Sequence, residues 1–317
     1  MTTMQQAARQ RAGLGTRLAR FLGTTLGALL CALATAAPPA PAPAPATFEI
    51  GGLQVIRKGD GGRALILVPG LASGAWAWED LATSLQPAQR VYRLTLPGFD
   101  GRPPLPGDGL ARAGEAIAAL IAQEGLDHPV LVGHSLGGTL ALRYAAEHPG
   151  QLGGVVTLDG LPVFPMTEGL PPAQRAAMSD RIRSSLSTEP AAFAAQQLQY
   201  MRTIGVVDPA LAERLAAWTA RSDPAATADH AARVMALDLR PQMAAIDVPV
   251  LELSPYLAAD YAPRGIGEKD KADYYAGLLA GIPRLQVVSI PGARHFAMFD
   301  QPQAGRDAVR TFVASLM

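Results

Sequence analysis

The sequence predicts an α/β fold: a mostly parallel eight-stranded sheet with helices on both faces and a helical insertion after the sixth strand. Short apolar runs alternate with helix-compatible segments from residue 47 onward. Most of these runs are apolar throughout, which is typical of strands buried on both faces of a parallel sheet. Residues 161–240 interrupt the alternation because they are rich in Ala, Gln, Met and Arg and contain no convincing strand. We therefore expect one domain over residues 47–317, with a helical cap at about 161–240.

The elements follow in chain order. A hairpin is predicted from Phe48–Ile50 and Leu53–Arg57, which are separated by Gly51-Gly52. Six further strands are predicted at Ala64–Val68, Val91–Leu96, Val130–Val132, Val155–Leu158, Val250–Leu253 and Leu285–Ile290. Helices are predicted at Ala75–Leu85, Leu110–Gln123, Leu136–Glu147, Tyr274–Ala280 and Ala304–Leu316. In the insertion, a proline follows each of Glu189, Asp208 and Asp223, a pattern typical of helix starts, and roughly four helices are expected there.

The N-terminal segment is typical of a secretory signal peptide. Basic residues (Arg9, Arg11, Arg17 and Arg20) precede an apolar run over 21–33, and Ala34-Thr35-Ala36 offers a cleavage site. We expect a signal peptide over 1–36, an extended Ala/Pro linker over 37–46, and a periplasmic or secreted product. An uncleaved anchor is the alternative and the one expected membrane contact, although the run is shorter than the roughly 20 residues of a membrane span.

Charge and residue types exclude several functions. The chain has 27 basic and 27 acidic residues, and removing the four arginines of residues 1–36 leaves a mildly acidic domain. That balance offers no electrostatic footprint for nucleic acid. No histidines pair at ligand spacing, the single cysteine (Cys31) lies in the signal segment, and no Gly-rich phosphate loop occurs. We therefore expect neither a metal nor a cofactor, and a small molecule as the partner.

The segment Gly133-His134-Ser135-Leu136-Gly137 lies between a strand and a helix. Strand, sharp turn and helix are the context in which a G-x-S-x-G serine is exposed as a nucleophile. Gly133, Gly137 and Gly138 are predicted to lie where the chain passes too closely for a side chain. A serine nucleophile needs a base, and His295 follows the last strand, at the edge where open α/β sheets place their sites. Ser135 and His295 are therefore the predicted nucleophile and base.

Four stretches together resemble the α/β-hydrolase superfamily, in its esterase-like branch, over residues 47–317. They are the G-x-S-x-G segment, residues 67–71 with Trp76, residues 96–99, and residues 292–295 with 300–302. The resemblance implies a serine hydrolase with a helical lid that cleaves an ester or related acyl bond through an acyl-enzyme, without a cofactor. It also implies an oxyanion hole from the backbone N–H groups of Leu71 and Leu136, although Pro69-Gly70 replaces the usual His-Gly.

Thioester, lactone and amide substrates remain open at this point. The alternative from another class is a non-catalytic small-molecule receptor on the same scaffold.

The acid of the triad has more than one candidate. The superfamily usually places it after the seventh strand, where Asp260 is available but the usual Gly-x-x-Asp turn is absent. A second location in the superfamily is the end of the sixth strand, where Asp159 stands. We take Asp159 as the first choice and Asp260 as the second, with Asp247 and Asp273 as further possibilities.

Overall fold

The computed structural model of the protein describes residues 46–86 and 88–316. The predicted signal peptide over 1–36, with Cys31, and the predicted linker up to residue 45 lie outside the described residues. Among the helices that are described, none is long and apolar enough to cross a membrane.

The described strands form one eight-stranded sheet in the order β1-β2-β4-β3-β5-β6-β7-β8. The strands are β1 (Ala46–Ile50), β2 (Leu53–Lys58), β3 (Ala64–Val68), β4 (Arg90–Thr95), β5 (Val130–His134), β6 (Gly154–Leu158), β7 (Val250–Tyr256) and β8 (Leu285–Pro291). The pairs β1–β2 and β2–β4 are antiparallel, and all other neighbours in the sheet are parallel. The predicted fold class is therefore confirmed.

Helices connect the strands and cover both faces. They are α1 (Glu79–Leu85), α2 (Gly109–Gln123), α3 (Leu136–Glu147), α4 (Pro172–Ser185), α5 (Pro190–Tyr200), α6 (Pro209–Thr219), α7 (Pro224–Ala236), α8 (Ala258–Tyr261), α9 (Glu268–Leu278), α10 (Ala297–Asp300) and α11 (Pro302–Ser315). Short 3-10 turns lie at Ala75–Trp78, Arg240–Ala245 and Ala262–Arg264, and a π-helical turn at Met201–Gly205 follows α5.

The sheet separates two apolar cores, and β3 contributes to both. Ile66 and Val68 pack in the core that contains residues of α2, α3 and α9, whereas Leu65 and Leu67 pack in the core that contains residues of α1 and α11. All five side chains of β3 are buried. The near-continuous apolar strands of the sequence thus reflect a sheet covered on both faces.

The segment between β6 and β7 contains four α-helices, α4 to α7. Glu189, Asp208 and Asp223 accept hydrogen bonds from backbone N–H groups at the starts of α5, α6 and α7, as their positions before proline predicted. The base of the insertion is closed by an isolated β-bridge between Val163 and Asp238. That bridge brings the two ends of the insertion together.

Several element bounds differ from the sequence-based expectation. The predicted helix over 75–85 is a 3-10 turn followed by α1, because the chain reaches helical geometry in two stages around Trp78. The helix predicted at 274–280 begins six residues earlier, at Glu268, because its charged first half resembled a loop. Strand β1 begins at Ala46, the last residue of the predicted linker.

Candidate active site

Ser135 stands at the turn between β5 and α3 in a strained backbone conformation. Its φ and ψ are 52° and −120°, outside the regions that non-glycine residues ordinarily occupy. Two backbone hydrogen bonds fix it: its N–H donates to the Leu158 carbonyl at 2.9 Å, and its carbonyl accepts from Thr139 N–H at 3.0 Å. Backbone strain held by its surroundings is typical of functional sites.

The glycines around Ser135 allow neighbouring backbone to approach. A Cβ atom on Gly133 would lie 2.2 Å from the Gly137 carbonyl oxygen, and one on Gly137 would lie 2.3 Å from the Val68 carbonyl oxygen. A Cβ atom on Gly138 would lie 2.8 Å from Gly160 Cα. Such separations are too short for any side chain, so the close approach that the sequence predicted occurs at all three positions.

His295 and Asp159 form a direct hydrogen-bonded pair. His295 Nδ1 lies 2.5 Å from Asp159 Oδ2, and the two side chains are 16% and 13% exposed. Burial alone would raise the pKa of Asp159, but the charge and hydrogen bond of His295, together with Lys271 and Tyr275, hold it far below its ordinary value. Asp159 is therefore a carboxylate that fixes the ring of His295 through Nδ1.

The other candidate acids lie elsewhere. Both oxygens of Asp260 are engaged by Arg294, with Nε–Oδ2 and Nη2–Oδ1 distances of 2.8 and 2.9 Å. Asp247 is exposed, and exposed Asp273 pairs with Lys269 on the surface of α9. Of the four carboxylates considered from the sequence, Asp159 is the one that the structure brings to His295.

The π-helical turn of the insertion is hydrogen-bonded to the loop that carries His295. His295 N–H donates to the Ile204 carbonyl at 3.1 Å, and Phe296 N–H donates to the Gly205 carbonyl at 2.9 Å. Arg294 Nη1 adds hydrogen bonds to the carbonyls of Arg202 and Val206 at 2.9 and 3.2 Å. Sequence reasoning missed this contact; the one signal for it was the run of helix-compatible residues that continues past α5 into Gly205.

His134 supports the same loop from inside the elbow. Its Nε2 lies 3.0 Å from the His295 carbonyl oxygen and therefore donates to it. The two imidazole rings are 4.6 Å apart between centroids. Burial keeps the pKa of His134 well below its ordinary value, so the ring is neutral. From the sequence alone, His134 had no role.

The two predicted oxyanion donors flank Ser135. Leu136 begins α3 directly after Ser135, where the N–H groups of a helix have no intrahelical partner. Leu71 follows Gly70, and a Cβ atom on Gly70 would lie 3.3 Å from Ser135 Cβ, so this loop passes directly beside the serine. Ser222 of the insertion donates to the Ala72 carbonyl at 2.9 Å. That bond supports the loop in which Pro69 replaces the usual histidine.

Trp76 and Trp78, considered from the sequence as a substrate mouth or as packing, serve as packing. Trp78 is buried, and Trp76 lies 4.9 Å from the ring of Trp218. Both border a cavity of 390 Å³ between the 3-10 turn at Ala75 and α11, and no triad residue lines it. Over residues 46–86 and 88–316, His, Cys, Asp and Glu form no group of three that could hold a metal ion.

Known proteins resemble this chain over parts or most of its length. Residues 65–308 match the model of the alpha/beta hydrolase family. A pimeloyl-[acyl-carrier protein] methyl ester esterase of Yersinia enterocolitica is 24% identical over 261 residues, 80% of this chain and 94% of that protein. The same enzyme of Vibrio campbellii is 29% identical over 139 residues, 43% of this chain and 53% of that protein.

Solved structures resemble the fold at low sequence identity. A thermophilic esterase from Thermogutta terrifontis aligns with a TM-score of 0.66 at 21% identity, over 86% of this chain and 99% of its own. The enol-lactonase from Burkholderia xenovorans aligns with a TM-score of 0.63 at 18% identity, over 85% of this chain and 100% of its own.

Proposed function

Because this chain belongs to the alpha/beta hydrolase family, we propose that it is a serine hydrolase that cleaves a carboxylic ester through an acyl-enzyme. The observation that carries this proposal is the hydrogen bond between His295 Nδ1 and Asp159 Oδ2, 2.5 Å long, together with the elbow conformation of Ser135, whose neighbour His134 lies against His295. An imidazole held through Nδ1 presents Nε2 as a base, which is what a serine nucleophile requires. Curated relatives named as methyl ester esterases support an ester as the substrate.

The reaction would proceed in two steps. In the first, His295 takes the proton of the Ser135 hydroxyl as its oxygen attacks the ester carbonyl, and then gives that proton to the departing alcohol. The N–H groups of Leu71 and Leu136 would hold the negative oxygen of the tetrahedral intermediate. In the second step, His295 activates a water that releases the acid from Ser135. Asp159 stays ionised and stabilises the imidazolium in both steps.

The test combines covalent labelling with turnover. Wild-type protein is expected to react with a fluorophosphonate at Ser135, located by mass spectrometry, and to show a burst of p-nitrophenol from p-nitrophenyl esters. Ser135→Ala and His295→Ala should each remove measurable turnover while the protein stays folded, because triad members act as a unit. Ser184→Ala, on the exposed face of α4, is the matched control and should keep full activity.

Two outcomes would count against the proposal. Folded Ser135→Ala protein with near-normal turnover would exclude Ser135 as the nucleophile. Wild-type protein that neither labels nor hydrolyses esters, thioesters, lactones or amides, yet binds small molecules, would favour a receptor on a hydrolase scaffold. Esters of graded acyl length, with thioester, lactone and amide controls, define the bond that is cleaved.

A further inference from the structure

Helix α9 carries two buried side chains, Tyr275 and Lys271, near the oxygen of Asp159 that His295 does not bind. Tyr275 is 6% exposed, and its hydroxyl donates to Asp159 Oδ1 at 2.5 Å. Oδ1 is the oxygen that His295 does not use, because His295 Nδ1 bonds to Oδ2. Both oxygens of the carboxylate are therefore engaged by directed donors from different elements. A carboxylate held at two points cannot rotate about its terminal bond without breaking one of them.

Lys271 brings a positive charge to the same place. It lies one helical turn before Tyr275 and is 5% exposed. Its ammonium lies 4.3 Å from the centroid of the Tyr275 ring and 5.2 Å from that of Tyr261, and it donates to the Pro255 carbonyl. A buried ammonium is costly unless other groups compensate it. Two ring faces, one carbonyl and the field of a nearby carboxylate supply that compensation here.

Glu252 is the second buried carboxyl group near Lys271. It lies within β7, is 0% exposed and shares a hydrogen bond with the Thr157 hydroxyl. Burial, with the nearby charge of Asp159, raises the pKa of Glu252 well above its ordinary value. Asp159 is the carboxylate that Tyr275 binds directly, and the Lys271 ammonium lies against the ring of Tyr275.

Titratable groups from several elements act on Asp159 or on its partners. They are His134 (β5), Tyr200 (α5), Glu252 (β7), Tyr261 (α8), Lys271 and Tyr275 (α9) and His295 (after β8). Burial lowers the pKa of Lys271, and the nearby charges of Asp159 and Glu252 act against that shift. Because the Lys271 ammonium contacts the ring of Tyr275, whose hydroxyl binds Asp159, a change at Lys271 acts on the Asp159–His295 pair.

We propose that Tyr275 and Lys271 are positioning residues for the triad acid: Tyr275 fixes the orientation of Asp159, and Lys271 balances its charge. The inference rests on the proposed function, because it assigns a task within that triad. Neither residue touches the substrate carbonyl in this scheme. Both act through Asp159 on the proton affinity and orientation of His295.

Tyr275→Phe removes only the hydroxyl group of Tyr275 and so tests its hydrogen bond to Asp159 Oδ1. Tyr274→Phe is the matched control, since that neighbouring hydroxyl donates to Glu168 Oε1 at 3.1 Å and accepts from Met166 N–H at 2.8 Å, away from Asp159. A hydrogen bond to a charged group supports a loss of about tenfold or more in kcat, with KM little changed, for Tyr275→Phe. Tyr274→Phe should keep kcat within about twofold of wild type, because substitutions at exposed positions usually have small effects.

The pH profile separates positioning from a merely structural role. The Tyr275 hydroxyl and the Lys271 charge both offset part of the negative charge of Asp159. Without either of them, Asp159 stabilises the protonated form of His295 more strongly. The acidic limb of kcat/KM should therefore move to higher pH in Tyr275→Phe and in Lys271→Met. Lys269→Met is the second control, because Lys269 is exposed on the same helix and pairs with Asp273. The acidic limb of kcat/KM in this variant should not move.

A readout independent of activity completes the test. The downfield proton resonance of the His295 Nδ1–H bond should shift in Tyr275→Phe and stay unchanged in Tyr274→Phe. Equal kinetics, equal pH limbs and equal resonances for the two phenylalanine variants would overturn the inference while leaving the serine hydrolase intact. An inactive, unlabelled wild type would instead overturn the proposed function. Should Lys271→Met fail to fold, the two tyrosine variants decide the matter alone.

Discussion

Replacing Asp159 by asparagine removes one negative charge and almost no volume. The Asp159 side chain accepts from His295 at Oδ2 and from Tyr275 at Oδ1, and it is 13% exposed. Asparagine can place its carbonyl oxygen toward only one of these donors, and its NH₂ group then faces the other donor. The variant therefore disturbs both the orientation of His295 and the electrostatic support of its protonated form.

The expected magnitude follows from what the carboxylate does in the transition state. In the proposed reaction, His295 becomes an imidazolium there, beside a largely buried acid, at a hydrogen-bond length of 2.5 Å. Loss of such an acid lowers kcat by about 10³–10⁴-fold in serine hydrolases of this type, equivalent to about 4–5.5 kcal/mol of transition-state stabilisation. KM should change little, because Asp159 does not contact the substrate in this scheme.

Asp260→Asn is the matched comparison, with the same chemical change on the neighbouring strand's loop. Asp260 and Arg294 are 34% and 20% exposed in their side chains, and an ion pair of this kind contributes about 1 kcal/mol or less. Arg294 retains its hydrogen bonds to the carbonyls of Arg202 and Val206 in the variant. The activity of Asp260→Asn should therefore stay within about tenfold of wild type.

Initial rates on a p-nitrophenyl ester, fitted for kcat and KM at a pH above the acidic limb, distinguish the two variants. Circular dichroism and thermal unfolding establish that both are folded. A large kcat loss in Asp260→Asn with a small one in Asp159→Asn would refute the assignment and move the acid to the loop after β7. Similar modest losses in both would mean that neither carboxylate orients His295.

Three further predictions concern packing, protonation and export. Gly137→Ala should lower the free energy of unfolding by about 1–3 kcal/mol or more, because its Cβ would lie 2.3 Å from the Val68 carbonyl oxygen. Gly114→Ala, in open space on α2, should raise it by about 0.5–1 kcal/mol. Chemical denaturation measures both changes. The folded protein keeps His134 neutral, so its unfolding free energy should fall as pH drops below about 6.5, by up to ~1.4 kcal/mol per unit, and a His134→Gln variant should show a flatter pH dependence. Expression of the full chain should yield exported protein cleaved near residue 36, and intact N-terminus on cytoplasmic protein would contradict the expected signal peptide.

The sheet and the elbow could be predicted because each depends on local pattern. An apolar run such as β3 has no stable place except the inside of a covered sheet, and all five of its residues are buried. The glycines after Ser135 are a similarly local signal, because they indicate positions where close backbone contact excludes a side chain. Both kinds of signal are complete within a few residues of sequence.

The choice between Asp159 and Asp260 could not be settled in that way. Strands β6 and β7 are parallel neighbours, so residues beyond either strand reach the same edge of the sheet as His295. The structure decides through distant groups: Arg294 takes both oxygens of Asp260, and Tyr275 of α9 binds Asp159. Neither contact has a signature in the local sequence.

The start of α9 was missed for a related reason. Its first four residues, Glu268 to Lys271, are all charged and indicate an exposed loop by composition. Lys271 is nonetheless buried, because it faces Tyr261 and Tyr275 rather than solvent. Composition reports the average environment of a segment, whereas burial of one side chain depends on the direction in which the helix presents it.

The π-helical turn at Met201–Gly205 connects the insertion to the loop that carries His295. A helix leaves its last carbonyls without intrahelical donors. The turn ends at Gly205, and the carbonyls of Ile204 and Gly205 accept from the N–H groups of His295 and Phe296. The unpaired carbonyls at the end of this turn thus accept hydrogen bonds from the loop that carries His295. Any displacement of this end of the insertion must either break both bonds or carry His295 away from Asp159. This end of the insertion and the loop that carries His295 are therefore expected to move together.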